Sequence, residues 1–177
     1  MSLVVLLGGA RAGKSALAVE LAARWDGEVA YIATAEAGDE EMARRIEQHR
    51  AERPQRWTTI EEPFALRDAL AGLEARTLAV VDCLTLWVAN LTARGDSVLE
   101  QAEAVAALAA ERAAPVIVIT NEVGLGVVPP SVLGREYRDV LGAVNAAFVR
   151  RASDAAFVVA GRPLPLPAGW APAVLHG

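Results

Sequence analysis

Eight residues near the amino terminus carry the most specific chemistry in this chain. Gly8-Gly9-Ala10-Arg11-Ala12-Gly13-Lys14-Ser15 fits the spacing G-x-x-x-x-G-K-[ST]. Glycines let the backbone curl until successive N–H groups point at phosphate oxygens, and a helix opening at the lysine adds its positive end. In such a loop Lys14 reaches the β- and γ-phosphates and Ser15 ligates Mg²⁺. Lys14 is the single lysine among 17 basic residues. A composition that otherwise uses arginine throughout has kept lysine where a phosphate loop needs it. Such a site also needs a second carboxylate, at the end of a neighbouring strand, to hold the metal through water. Leu78-Ala79-Val80-Val81-Asp82 supplies one. Asp82 could equally cap a helix starting at Leu84, and both readings stand at this level.

The second constellation surrounds His49 in the stretch from Asp39 to Arg53. On a helix, Met42, Ile46, His49 and Arg53 share a face, with Arg45 one turn before the histidine and Arg53 one turn after. Neighbouring cations favour the neutral, nucleophilic form of an imidazole and could hold a polyphosphate against it. The plainer alternative is a histidine at the rim of the core among solvated arginines. The segment Asn121 to Pro130 follows a strand and reads as a flexible active-site loop. Its Gly124-x-Gly126 lacks the third glycine of a dinucleotide fingerprint. Cys83 reads as a buried small hydrophobe, the four tryptophans as packing residues, and His176 as frayed.

The elements that must position these groups follow from apolar runs and their punctuation. Strands are predicted over Leu3–Leu7, Glu28–Ala33, Leu78–Val81, Pro115–Thr120 and Ala155–Ala160. Helices are predicted over Lys14–Trp25, Asp39–Arg53, Pro63–Arg76, Ser97–Arg112 and Arg135–Arg151. Strands alternating with helices imply a mostly parallel α/β sheet covered on both faces, with functional groups at the carboxyl ends of its strands. The 177 residues suit one domain, 1–177, and the proline-rich stretch 160–177 reads as an irregular tail.

Composition narrows the function classes. Apolar residues make up 54% of the chain, ample for a core on both sheet faces. A net charge of -5 argues against a nucleic-acid or anionic-membrane binder. One cysteine excludes an intrachain disulfide and suits a reducing compartment. The apolar start, Ser2 to Leu7, is too short for a signal peptide and lacks a basic flank, and charges interrupt every longer apolar run. The expectation is a cytoplasmic protein with no membrane span and no nucleic-acid partner.

Taken together, several blocks resemble the bifunctional adenosylcobinamide kinase / adenosylcobinamide-phosphate guanylyltransferase family of cobalamin biosynthesis. They are Gly8 to Ser15; Ile32-Ala33-Thr34-Ala35; the Glu41 to Pro54 stretch with His49 and Trp57; Asp82-Cys83-Leu84-Thr85-Leu86-Trp87; Asn121 to Pro129; and Arg135-x-x-Arg138-Asp139-x-x-Gly142-x-x-Asn145. They run in order over residues 3 to 164. Ala12 departs from the family's usual serine, at a position that contributes mainly backbone. The resemblance implies a P-loop, RecA-like fold and a homotrimer. It implies two reactions: γ-phosphoryl transfer from ATP or GTP to the aminopropanol hydroxyl of the corrinoid adenosylcobinamide, then guanylyl transfer. In the second, the residue matching His49 attacks the α-phosphorus of GTP and passes GMP to the new phosphate. Carried over by position, the catalytic residues are His49, Lys14 and Asp82. The nucleotide contacts are Gly8, Gly9, Ala10, Arg11, Ala12, Gly13, Lys14, Ser15, Ala33, Thr34, Ala35, Arg50, Ala51, Glu52, Arg53, Asp82 and Glu61 or its neighbour Glu62. Ser15 and Asp82 are the implied Mg²⁺ ligands.

Two other classes fit these residues less well. A regulatory GTPase reads guanine with Asn-Lys-x-Asp, which a chain with its sole lysine in the phosphate loop cannot contain. A single-activity small-molecule kinase leaves His49 and its arginines without a role. The acceptor's base stays open among Asp82, Glu61, Glu62 and Glu122.

Overall fold

Apolar runs become strands buried from both sides, and the order of those strands sets the site. The computed structural model describes residues 2–36, 44, 50 and 53–169. In chain order the elements are β1 Leu3–Leu7, α1 Lys14–Ala22, β2 Val29–Ala33, β3 Thr58–Glu61, α2 Leu66–Ala71, β4 Leu78–Asp82, α3 Leu84–Arg94, α4 Val98–Glu111, β5 Val116–Ile119, α5 Val132–Arg151, β6 Asp154–Val159 and β7 Arg162–Pro165. They form one sheet in the order β3-β2-β4-β5-β1-β6-β7. Every pairing is parallel except that of β6 with β7. This is the mostly parallel α/β class expected for a phosphate-loop protein.

Side chains alternate between two cores because successive strand residues point to opposite faces. Val5, Ile32, Val81 and Val118 pack under α2, α3, α4 and α5 through Leu70, Trp87, Ala106 and Phe148. Leu6, Tyr31, Val80 and Ile117 face the other way, against Ala18 and Ala22 of α1 and against Trp57. Arg112, at the end of α4, is buried and donates to the carbonyls of Leu70, Glu74 and Thr77 at 2.7, 2.9 and 3.0 Å. It ties the α2–β4 connection to α4.

Several predicted elements differ from those observed. The strand β3 has no counterpart in the sequence reading: Thr58-Thr59-Ile60-Glu61 lies at a sheet edge, so only Ile60 need be apolar. The helix expected over 63–76 is confined to Leu66–Ala71. A helix over Leu84–Arg94 emerges, and α5 starts earlier than expected, where Ser131 Oγ accepts from Gly134 N–H at 3.1 Å. The tail from residue 160 is not irregular throughout. Arg162–Pro165 forms the antiparallel edge strand, where Pro163 and Pro165 are tolerated because no outer neighbour among the described residues needs their N–H. Cys83, read as a buried small hydrophobe, is partly buried and packs against the core that holds Tyr31 and Val80. The helix predicted over 39–53 falls largely outside the described residues, as do Trp170 and His176.

Candidate active site

The strand order brings three carboxyl ends together. β5 lies between β1 and β4, and the register pairs Ile119 with Leu6 on one side and with Asp82 on the other. The phosphate loop leaves β1, Asp82 ends β4, and the Asn121 loop leaves β5, so all three open on one edge.

Within the loop, Gly13 stands at the head of α1 with φ of +98°, which a residue with a side chain rarely adopts. Gly9 and Ala10 are exposed, whereas Lys14 is only 6% exposed. Its Nζ donates to the carbonyls of Gly8 at 3.0 Å and Gly9 at 2.6 Å. The ammonium therefore lies against the loop it serves. Burial pulls its pKa below the ordinary lysine value, opposed by the nearby Cys83 and Asp82.

The N-cap position of α3 is Cys83, not Asp82, and the Cys83 side chain makes no capping hydrogen bond. Instead Asp82 Oδ2 accepts from Ser15 Oγ at 3.3 Å and from the Tyr31 hydroxyl. Ser15 and Asp82 thus present two hard oxygens at the head of α1. Among the described residues no cluster of three or more His, Cys, Asp or Glu side chains could cage a metal. Two protein oxygens are a donor set that would suit Mg²⁺, a hard cation that prefers oxygen ligands.

Tyr31 is a site residue that the motifs did not mark. It is 1% exposed in the middle of β2, and the only sequence signal was one hydroxyl in an otherwise apolar strand. Burial first, then Asp82 beside it, push its pKa well above the ordinary tyrosine value, so it stays a neutral donor. The Arg53 guanidinium lies 3.5 Å from the centroid of the Tyr31 ring. Its Nε is buried and has no acceptor among the described residues.

A second network fixes the ends of β2 and β5. The Thr34 hydroxyl donates to the Cys83 carbonyl at 2.7 Å and accepts the Cys83 N–H at 2.9 Å. Asn90 Nδ2 donates to the carbonyls of Thr34 and Pro63 at 2.9 and 3.1 Å. Thr120 Oγ1 donates to Asn145 Oδ1 at 2.7 Å, and Asn145 Nδ2 donates to the Asn121 carbonyl at 3.0 Å. The Asn121 loop meets the phosphate loop directly where Glu122 N–H donates to the Gly8 carbonyl at 3.2 Å.

The structure also separates the two adjacent glutamates. Glu62 Oε1 accepts the N–H groups of Phe64 and Ala65 at 3.0 and 2.8 Å, a local turn-closing role. Glu61 is exposed and lies 3.7 Å from Arg50. The structure therefore gathers Lys14, Ser15, Asp82, Thr34 and Arg53 around one edge, with Arg50 and Glu61 at its border. His49, Ala51 and Glu52 lie outside the described residues.

Residues 4–166 match the family described as cobinamide kinase / cobinamide phosphate guanyltransferase. The chain belongs to this family. The bifunctional adenosylcobalamin biosynthesis protein CobP of Pseudomonas aeruginosa is 47% identical over 165 residues, covering 92% of this chain and 95% of that protein. CobU of Escherichia coli, described by the same bifunctional name, is 37% identical, covering 90% and 96%. The solved RadB recombinase is similar more loosely, 19% identical with a TM-score of 0.48, over 88% of this chain and 73% of that one.

Proposed function

We propose that this chain phosphorylates the aminopropanol hydroxyl of adenosylcobinamide with ATP or GTP and then transfers GMP from GTP to that phosphate, giving adenosylcobinamide-GDP. One observation carries the reading: Lys14 lies in the phosphate loop with Ser15 and Asp82 facing each other beside it. Phosphoryl transfer is mostly positioning and charge stabilisation, and these are the groups that do both. The loop N–H groups and Lys14 are placed to hold the β- and γ-phosphates, and Ser15 and Asp82 would hold a Mg²⁺ ion, which when bound would supply charge neutralisation for the transferring group. Among the candidate bases, Glu62 and Glu122 are already engaged by backbone N–H groups, at 2.8 Å from Ala65 and 2.6 Å from Gly124. Asp82, which accepts from Ser15 and Tyr31, and Glu61, which pairs with Arg50 at 3.7 Å, are engaged as well, so all four carboxylates stay candidates for the acceptor's base.

For the second reaction His49 is the nucleophile. Arg50 and Arg53, one and four residues after it, reach Glu61 and the Tyr31 ring, which supports a nucleotide site near that stretch. A covalent histidine divides nucleotidyl transfer into two displacements, each with a good leaving group. The protein works in the cytoplasm as a homotrimer of single domains; no described helix is long and apolar enough to cross a membrane. Incubation with GTP labelled at the α-phosphate tests the scheme. Protein-bound GMP, acid-labile and alkali-stable, is expected in the wild type and absent from His49→Ala, which keeps its kinase activity. Label retained by His49→Ala, or never taken up by the wild type, reduces the protein to a single-activity kinase.

A further inference from the structure

The phosphate loop is braced from one side by an element outside every motif above. Val159 pairs with Arg162, so residues 160 and 161 alone turn the chain between β6 and β7. Both have positive φ, +49° at Ala160 and +76° at Gly161, as a tight two-residue hairpin requires. This turn and the end of β6 touch the loop in three ways. Gly161 N–H donates to the Ala12 carbonyl at 2.8 Å. A Cβ on Gly13 would lie 2.9 Å from Gly161 Cα, and a Cβ on Gly8 would lie 2.4 Å from the Val158 carbonyl oxygen. Both loop glycines are therefore needed for this packing as well as for the loop's own curl.

The contact has a consequence for anion binding. A peptide unit is planar and trans, so its C=O and N–H point in opposite directions. Holding the Ala12 carbonyl toward the hairpin turns the Gly13 N–H away from it. We propose that the β6–β7 turn is a positioning device for the phosphate loop, in which Gly161 fixes the Ala12–Gly13 peptide so that its N–H faces the phosphates. This rests on the reading of Gly8 to Ser15 as the nucleotide cradle. Gly161 touches no reacting atom; it acts through Gly13.

The test compares three variants for binding of GTP with Mg²⁺ by calorimetry. Gly161→Val places a β-branched residue at positive φ and forces the turn to shift. Gly161→Asn tolerates that backbone and meets nothing within 4 Å of its Cβ. Gly95→Val is the matched control: Gly95 also has φ of +76° and nothing within 4 Å, but it closes α3, remote from the loop. The expected result is nucleotide binding about tenfold weaker or more for Gly161→Val, and within about threefold of wild type for Gly161→Asn and Gly95→Val. Because coupling is reciprocal, saturating GTP with Mg²⁺ should also slow hydrogen exchange at the wild-type Gly161 amide by about tenfold. That measurement stands even if Gly161→Val does not fold. Equal affinities for Gly161→Val and Gly95→Val, or Gly161 exchange indifferent to nucleotide, overturns the positioning role. A wild-type protein that binds no nucleotide overturns the cradle reading itself, and the positioning role with it.

Discussion

Tyr31→Phe removes one oxygen from a side chain that is 1% exposed, and its effect should depend on pH in a way no packing change imitates. The hydroxyl donates to Asp82 Oδ2, and a hydrogen bond to a charged acceptor contributes about 1.5–3 kcal/mol. Near neutral pH the variant should therefore unfold more easily by about that amount. The sign of the alkaline limb follows from the raised pKa. Above 10.0, the ordinary tyrosine value, the unfolded chain releases the Tyr31 proton while the folded chain keeps it. The folded state then binds more protons, so wild-type stability falls as pH rises, by up to about 1.4 kcal/mol per pH unit from this group. Phenylalanine has no such limb. Burial also raises Cys83 from 9.0 to about 11 and Tyr137 from 10.0 to about 12, but both titrate alike in the two proteins and cancel in the difference. Urea unfolding of wild type and Tyr31→Phe at about pH 8 and about pH 11 measures that difference, which should shrink by about 1.4 kcal/mol. A gap of constant size across that range refutes a buried, neutral Tyr31 held against Asp82.

Lys14→Ala should abolish both transfers, lowering turnover at saturating nucleotide by about 10²–10³-fold or more, and near-normal kinase turnover would sink the phosphate-loop assignment. Asp82→Asn keeps the shape but loses the charge, so it should weaken Mg²⁺-dependent turnover more than nucleotide binding; rates across a Mg²⁺ titration check this, and an unchanged metal dependence removes Asp82 from the metal site. Arg112→Met should cost about 3–5 kcal/mol of stability in denaturant unfolding, because three carbonyls lose a buried charged donor, while turnover per folded molecule stays at the wild-type value.

What the sequence determined by itself was local. Phosphate-loop spacing, apolar runs of four to six residues and the alternation of strand with helix are written in neighbouring residues, and β1, β2, β4 and β5 lie close to where those signals place them. The loop around Lys14 and Ser15 was equally legible as a pattern, because residue type and spacing alone define its motif. The place of Asp82 was not, since an aspartate after a strand caps a helix as readily as it faces a neighbouring loop. Only the strand order, which puts β5 between β1 and β4, brought its carboxylate to Ser15, 67 positions away in the chain. Tyr31 was hidden for the same reason: its hydroxyl has meaning only once β2 pairs with β4. The edge strands were lost because an edge needs no alternation of apolar residues, as Thr58–Glu61 and Arg162–Pro165 show. The turn at Gly161 looks like the start of a tail when read along the chain. Parallel pairing of β1 with β6 lays it against Ala12 and Gly13, nearly 150 residues upstream, because a sheet joins strands by hydrogen-bond geometry whatever their distance in sequence.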